Sequence, residues 1–316
     1  MTWIKRLLTT GLMLWLLIAA FQQAALVSFL YPTVSLRFDD PLDAVHVQRT
    51  REYAQKNGGP WLTFWSERKV RVNGFAAQQI TFDGESMLAY PAEYRYGHSP
   101  TTWETENCAV STGLAWQVWG GENVVGLELT VEEVTCRVVG VFPDEKAILI
   151  RPDTGNFTAV ELENVPPGED SYRYAANYAY VSGLGTPDEI LWGGFAEWIQ
   201  ILPWIPVLLS AVPLVGYGMG KYRKLPPFWR SILAFGLAFW AAFALPGLLG
   251  RLLPWLLPTR WSDFDFWIRL GETLKDRYRD VFALNPQSRD VQAKISMVKV
   301  IFATLGACIL VKAEHK

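Results

Sequence analysis

The stretch Cys108–Phe142, CAVSTGLAWQVWGGENVVGLELTVEEVTCRVVGVF, decides the fold of the central part of the chain. Its segment Ser111 to Trp119 predicts a helix, because it opens on a serine that can cap the first turn and stops at a pair of glycines. Two segments of alternating apolar and polar residues follow, Val124–Val131 and Thr135–Phe142, and this alternation is typical of β-strands. A helix and two strands so close together predict a mixed α/β domain.

The same alternation continues on both sides of this stretch. Further strands are predicted at Leu62–Val72, Gln78–Phe82, Ala147–Arg151 and Phe157–Leu162. Turn signals separate them at Asn73-Gly74, Asp83-Gly84, Pro143-Asp144 and Pro166-Pro167-Gly168. A second helix is predicted at Asp43–Lys56, because the stop signal Asn57-Gly58-Gly59-Pro60 follows it. The pattern therefore predicts one α/β domain over residues 32–197.

The charge of this domain differs from that of the whole chain. The 316 residues have a net charge of −2, whereas the segment from Pro32 to Glu197 has 12 basic residues against 24 acidic ones. An acidic surface argues against binding to nucleic acid and to the anionic inner membrane surface. We therefore expect a domain that faces outward and does not bind nucleic acid.

Long runs without charged residues flank the domain. Leu7–Leu36, Trp198–Gly220 and Ser231–Gly250 contain no Asp, Glu, Lys or Arg, and each reaches the roughly 20 residues that a membrane helix needs. A fourth run, Ile295–Val311, is interrupted by Lys299 near its start. The pattern predicts four transmembrane helices. The alternative for the first run, a cleaved signal peptide, is disfavoured because the run is long and has no strict Ala-x-Ala site.

Basic residues fix the expected orientation. They precede the first span, crowd the loop 221–230, and follow the fourth span, so both termini are expected in the cytoplasm of a multi-pass plasma-membrane protein. The predicted division is: 1–31, N-terminus and first span; 32–197, outer α/β domain; 198–220, second span; 221–230, cytoplasmic loop; 231–257, third span; 258–294, outer loop; 295–312, fourth span; 313–316, cytoplasmic tail.

Within the outer loop, Trp261–Phe282 has apolar residues at helical spacing among charged ones. This pattern predicts an amphipathic helix. The helix is expected either at the membrane interface or packed on the protein itself.

No pattern in the chain predicts catalysis. His98 and Ser111 are possible members of a hydrolase triad, but nothing in the sequence brings them together and there is no Gly-x-Ser-x-Gly. No histidine or cysteine pair has metal-ligand spacing, and Gly216–Lys221 departs from the phosphate-loop pattern. We therefore predict no enzyme activity and no catalytic, cofactor or metal residue in this chain.

Two other groups of residues are candidate features. Cys108 and Cys136 lie in the outer domain, where a disulfide can persist, and the alternative is two buried thiols. The basic loop is either a topology signal alone or a docking site for a cytoplasmic partner, since it also contains large apolar residues. The candidate docking residues are Lys221, Arg223, Lys224, Leu225, Phe228, Trp229 and Arg230.

The stretch Cys108–Phe142 resembles the periplasmic core domain of MacB-type ABC transporter permeases (the MacB/FtsX-like group). In that family a short strand ends at a serine, and a helix with a small residue runs into a bulky aromatic residue and a glycine. Val-Gly, a hairpin and a closing Val-x-Gly-Val follow. The matching positions here are Ser111, Ala115, Trp119, Gly120, Val125, Gly126 and Gly140.

The resemblance implies a function as well as a fold. Members of the family have one span, a large outer domain and three further spans, which is the order derived above. It implies the permease subunit of a MacB-like ABC transporter, a dimer with a second copy or a related permease in the lipid bilayer. An ABC ATP-binding subunit would bind the ATP and face the loop 221–230, and the outer domain would act as a lever in export or mechanotransmission. The alternative is a membrane-anchored extracytoplasmic binding or sensory module without transport.

Overall fold

A computed structural model describes residues 2–132, 134–165, 171–191, 199–210, 265–283 and 287–314, with isolated positions between 226 and 239. The helices are α1 (Thr2–Leu30), α2 (Ala44–Asn57), α3 (Ser86–Ala89), α4 (Thr112–Trp119), α5 (Ser171–Ser182), α6 (Ile199–Ser210), α7 (Phe266–Ala283) and α8 (Ser288–Glu314). The strands are β1 (Val34–Leu42), β2 (Trp61–Val72), β3 (Phe75–Asp83), β4 (Tyr96–Gly97), β5 (Asn107–Ser111), β6 (Glu128–Val131), β7 (Val134–Phe142), β8 (Ile148–Pro152), β9 (Phe157–Glu163) and β10 (Glu189–Leu191).

In the described part of the chain, the ten strands form one mixed sheet. Its order is β10-β1-β9-β2-β3-β8-β5-β7-β4, and β6 pairs with both β2 and β7. The pairs β3–β8 and β5–β7 are parallel, while the other neighbours are antiparallel. The prediction of a mixed α/β domain is confirmed.

The hairpin of β2 and β3 shows how a local signal sets the register. Asn73 and Gly74 have φ values of 49° and 87°, the left-handed conformation that both central residues of a type I′ turn adopt. The strands then pair without interruption from Val72 opposite Phe75 to Phe64 opposite Asp83. The predicted break at Asn73-Gly74 is therefore a tight hairpin.

The two faces of the sheet are covered by different elements. Successive side chains of a strand point to opposite faces, so the neighbours Phe64 and Trp65 lie on different sides. Phe64 packs in a core cluster with residues of α2 and α5, whereas Trp65 packs in another cluster with residues around α3. The α2 and α5 face is closed by apolar packing. The Trp65 face also receives the first residues of α8.

The helices outside the sheet pack on one another. Residues of α1, α6 and α8 share an apolar cluster that includes Val27, Ile199 and Val300. At Gly306 the backbone of α8 comes so close to α1 that an added Cβ would lie 3.1 Å from a methyl group of Leu16. In the described part of the chain, Leu7–Leu30 and Ser288–Lys312 are each long and apolar enough to cross a membrane.

Several element boundaries differ from the sequence prediction. Residues 34–36, which the first charge-free run includes, belong to β1, and α1 ends at Leu30. The strand predicted from Val124 begins only at Glu128, because Gly126 turns the chain with a φ of 91°. The amphipathic segment forms α7, with Trp267 and Ile268 exposed. The second and third predicted spans, 198–220 and 231–257, lie largely outside the described residues, and α6 covers the start of the second.

The start of α8 is the difference with the largest consequence. The helix begins at Ser288, ahead of the Ile295 at which the fourth span was predicted to begin. Its first three residues, Ser288, Arg289 and Asp290, are buried. These residues lie against the outer domain.

Candidate functional site: a buried ionic junction

The fully buried carboxylate of Glu161, on β9, is the centre of the site. Ser35 of β1 lies directly opposite it in the ladder, and the Ser35 hydroxyl donates to the carboxylate at 2.6 Å. The carboxylate also accepts from Thr33 Oγ1 at 2.6 Å and from Trp65 Nε1 at 2.8 Å. Three neutral donors from two neighbouring strands, β1 with the residue before it and β2, therefore surround one charge.

Arg289, the second residue of α8, supplies the opposite charge. Its Nη2 donates to Glu161 Oε1 at 2.6 Å, and both side chains are almost completely inaccessible to solvent. Its guanidinium carbon lies 4.9 Å from the centroid of the Trp65 ring and 5.1 Å from that of Tyr31. Nη1 donates to the carbonyl oxygen of Leu88 in α3. A cation from the last helix is thus inserted into the sheet domain.

A second ion pair lies beside the first. Arg37 of β1 pairs with Asp290 of α8, with Nη2 and Oδ1 3.3 Å apart, and both side chains are buried. The guanidinium carbon of Arg37 also lies close to Trp65, 4.4 Å from the centroid of its ring. The Tyr31 hydroxyl, just beyond the end of α1, donates to the same Oδ1 of Asp290. We call Tyr31, Arg37, Glu161, Arg289 and Asp290 the ionic junction.

Ser288 anchors the first turn of α8 to two further strands. Its backbone N–H donates to Glu67 Oε2 at 2.8 Å, and its hydroxyl lies 2.7 Å from Glu67 Oε1 and 2.6 Å from Gln78 Oε1. Glu67 is on β2 and Gln78 is on β3. A carboxylate at the start of a helix also satisfies a free N–H and the positive end of the helix dipole. The helix start is therefore held by four strands of the sheet, including β1 and β9.

The electrostatics of the junction favour its charged form. Burial raises the pKa of the Glu161 carboxyl, but the positive charges of Arg289 and Arg37 and the hydroxyl hydrogen bonds outweigh this effect and hold it below its ordinary value. Burial and the negative charge of Asp290 raise the pKa of the Tyr31 phenol well above its ordinary value, although both arginines oppose this. Glu161 is therefore an anion at neutral pH and Tyr31 remains protonated.

The junction contains two cations and two anions, so its charges cancel. This neutrality does not mean that the junction adds to the stability of the fold. A buried ion pair typically stabilises a fold no more than apolar residues of the same volume would, because both charges lose their hydration. Removal of one partner, in contrast, costs about 3–5 kcal/mol, since the other charge stays buried. The junction therefore penalises every arrangement in which α8 leaves the domain.

The residues of the sequence motif lie elsewhere, in and beside the core under α4. The buried Ser111 hydroxyl donates to the Lys146 carbonyl at 2.6 Å and accepts from the N–H groups of Leu114 and Ile148 at 3.1 and 2.9 Å. It thereby caps α4 and fixes the helix to β8. The exposed His98 has its Nδ1 2.9 Å from its neighbour's carbonyl, so the structure does not bring His98 and Ser111 together.

The other motif positions are also explained by packing. Ala115 is buried against the core and Trp119 packs at its edge, while Val125 is exposed. Gly120 and Gly126 have positive φ. Gly140 leaves no room for a side chain, because an added Cβ would lie 2.1 Å from the His98 carbonyl oxygen. These residues build the domain and do not reach the junction.

The remaining candidates from the sequence are the two cysteines and the docking loop. Cys108 on β5 and Cys136 on β7 form a disulfide in the structure, with their Cα atoms 5.8 Å apart. In the docking loop, Phe228 is described and exposed. Its other candidates, Lys221, Arg223, Lys224, Leu225, Trp229 and Arg230, lie outside the described residues. Among the described residues, no group of three or more His, Cys, Asp or Glu side chains forms a metal site.

Comparison with known proteins gives similarities of structure only. No protein-family model matches the chain, and no curated protein matches it. One similar solved structure is the periplasmic region of MacB from Actinobacillus actinomycetemcomitans, with 12% identity, a TM-score of 0.41, and coverage of 52% of this chain and 90% of that one. Another is the extracellular domain of the noncanonic ABC-type transporter YknZ from Gram-positive bacteria, with 9% identity, a TM-score of 0.38, and coverage of 50% and 97%.

Proposed function

We propose that this chain is the permease subunit of a MacB-like ABC transporter, in which ATP hydrolysis by a partner subunit moves the outer domain. The observation that carries the proposal is the ionic junction. Arg289 and Asp290 of α8 pair with Glu161 and Arg37 of the sheet. A displacement of α8 therefore acts directly on β9 and β1, without a loop between them to absorb it.

The order of the elements supports the same function. An apolar helix, α1, precedes the α/β domain, and α6 and α8 follow it and pack against α1. The motif residues fold as a strand, a capped helix and a hairpin, in the sequence order that the resemblance implies. Under the proposal, four helices span the plasma membrane, both termini are cytoplasmic, and the loop 221–230 faces the ATPase. The chain works as a pair, with a second copy or a related permease.

The hydrogen bonding of the two junction arginines is incomplete, and this supports a movement of α8 against the sheet. Arg37 Nε and Arg289 Nε are buried with no hydrogen-bond partner in the described part of the chain. Buried polar networks are usually fully paired when they serve only to fix one structure. Under the proposal, these two nitrogens gain partners in a second arrangement of α8.

The test is purification of the protein from its native membrane in mild detergent, followed by mass spectrometry of what is retained. We expect a stoichiometric ABC ATPase. The double variant Phe228→Ser and Trp229→Ser should lose it, because an apolar docking surface loses affinity when its large side chains are removed.

The matched control is the double variant Trp267→Ser and Ile268→Ser, which removes two exposed apolar side chains from α7. Under the proposed topology α7 is on the outer side, so this variant should retain the ATPase. Purification without any ATPase, but with an envelope protein or a ligand on the outer domain, would contradict the permease function. That result would favour the alternative of a binding or sensory module.

A further inference from the structure

A pocket of about 490 Å³ opens at the start of β2, and none of the junction residues lines it. Its walls come from the end of α2, the first residues of β2, the turn after β3 and the loop after β4, and they include Gln55, Trp61, Gly84, Trp103 and Glu163. The volume lies within the range of roughly 300–1,000 Å³ that is typical of small-molecule sites. The chemistry of its rim indicates what it binds.

Two tryptophans at the rim are exposed to an unusual degree. Trp61 is 68% exposed and Trp103 is 92% exposed, although tryptophan is on average one of the more buried residue types. An exposed indole leaves a large apolar face in water that a ligand can cover. Neither ring is needed for the core of the domain.

The loop that contains Trp103 is held in place by hydrogen bonds of the preceding residue, Thr102. Thr102 Oγ1 donates to the carbonyl oxygen of Gly84 at 2.7 Å and accepts from the Gly84 N–H at 2.9 Å. Gly84 has a φ of 130°, and an added Cβ would lie 2.5 Å from Thr63 Oγ1, so the turn it forms is closely packed. The loop is therefore fastened to the end of the hairpin, and Trp103 is held beside the pocket.

The charges of the pocket are unbalanced. Three of the described lining residues are charged: Arg51, Glu85 and Glu163. Arg51 is already paired, with Nη2 2.8 Å from Asp83 Oδ1. Glu85 and Glu163 form no ion pair within the described part of the chain, and Glu163 lies directly opposite Trp61 in the ladder of β2 and β9. Two carboxylates thus stand beside exposed indole rings.

We propose that this pocket binds an organic cation, an ammonium or guanidinium group on an apolar or aromatic body. Aromatic faces attract cations electrostatically, and nearby carboxylates add to the attraction. The apolar body of the ligand covers the indole surface that water now contacts. This binding goes beyond the proposed function, because it requires neither an ATPase nor a movement of the domain.

The test is isothermal titration calorimetry on the full chain in nanodiscs of zwitterionic lipid. The titrant is benzyltrimethylammonium in the millimolar range. We expect saturable binding to the unchanged protein. Trp103→Ala and Glu163→Gln should each weaken it about tenfold, and the neutral probe benzyl alcohol should also bind about tenfold more weakly. Trp103 is exposed and Glu163 is half-buried, and neither belongs to a core cluster of the domain.

The matched control is Trp116→Ala, which removes an exposed tryptophan that does not line the pocket. This variant should bind the cation as the unchanged protein does. The proposal is overturned if the unchanged protein shows no saturable binding, if benzyl alcohol binds equally well, or if Trp103→Ala and Trp116→Ala have the same effect. Failure here leaves the ATPase purification result unaffected, so the two proposals are tested separately.

Discussion

The motif region, Cys108–Phe142, and the ionic junction are held together by opposite means. The buried residues of the motif region pack in an apolar cluster, and the disulfide joins residues 28 positions apart. In the junction the contacts are between charges, and they join residues 128 and 253 positions apart. The first region has local signals for its helix and its hairpin, although its core also includes residues of β2, β3 and β8. The second is a connection that exists only when distant parts of the chain meet.

The comparison separates two roles: apolar packing provides stability, and buried charge pairs specify position. Apolar packing stabilises in proportion to the area buried and tolerates small shifts, so it suits a domain core. A buried charge pair adds little net stability, but it penalises separation of its partners. Charges at the junction therefore specify the position of α8 against the sheet, and apolar residues elsewhere provide most of the stability.

The largest effect is expected from Glu161→Leu. The change leaves the buried charge of Arg289 without its partner, which costs about 3–5 kcal/mol of the free energy of unfolding. Unfolding of the full chain in detergent, followed by circular dichroism, measures the loss. The control is Glu163→Leu on the same strand, which is half-buried and has no ion pair in the described part of the chain, and it should change stability by about 0.5 kcal/mol or less.

The double variant Glu161→Leu and Arg289→Met sharpens this result. It removes both charges of the pair, so it should be less destabilised than the sum of the two single variants. Equal losses for Glu161→Leu and Glu163→Leu, or strictly additive single and double variants, would show that the pair is not coupled as the structure has it.

The disulfide gives the next largest effect, and it acts in the other region. Loss of the bridge in a variant with Cys108→Ala and Cys136→Ala should cost about 3.5 kcal/mol, the value expected when a loop of this length is no longer closed. Peptide mapping without reductant tests the bridge directly, and recovery of both cysteines as free thiols would contradict it. Cys308→Ala, which removes the free cysteine of α8, is the control and should unfold as the unchanged protein does.

A smaller effect is expected from Gly140→Ala in the motif region. The new methyl group would lie 2.1 Å from the His98 carbonyl oxygen, so the strand and the facing loop must separate, at a cost of about 1–3 kcal/mol. Gly121→Ala is the control, because an added Cβ there has no atom within 4 Å. Thermal unfolding of both variants measures the difference. If both unfold at the same temperature, β7 does not pass as close to the loop as described.

The smallest effect is the pH dependence of the free energy of unfolding that Glu161 contributes. It tests the junction alone. The pKa of Glu161 is lowered in the folded protein, so its contribution to stability is present above the ordinary pKa of glutamate, about 4.3, and is lost as the pH falls through its folded pKa. The difference in unfolding free energy between the unchanged protein and Glu161→Gln should therefore be constant near neutral pH. It should shrink below about pH 4. A difference that stays constant in acid would contradict the lowered pKa.

The motif region was predictable from the sequence because its signals are local. The cap at Ser111, the stop at Gly120 and the period-two pattern of β7 each depend on residues a few positions apart, and helix and strand lie where they were predicted. No strand was predicted at β1, because residues 34–36 are apolar and continue the charge-free run of α1. In the sequence, an apolar strand that follows a membrane helix has the same composition as the end of that helix.

The junction was not predictable from the sequence, because no local pattern distinguishes a buried charge from a solvated one. Arg289 and Asp290 were assigned to an outer loop, where charged residues are ordinary, and Glu161 is one of 24 acidic residues in the outer domain. One signal was present. Arg289 and Asp290 lie about one helical turn before the apolar run that begins at Ile295, so a helix that starts earlier than that run includes them.

The position of Arg289 in the chain also orders the protein's biogenesis. Glu161 leaves the ribosome 128 residues before the arginine that pairs with it. Until α8 has been synthesised and placed, Glu161 and Arg37 have no counter-ions from it, and the part of the Trp65 face that α8 contacts stays open. The domain can therefore complete the junction only after α8 has been synthesised, although Glu161 and Arg37 are synthesised earlier. A chain in which α8 is not in place keeps buried charges without partners, so the order of synthesis exposes the domain to that cost until α8 arrives.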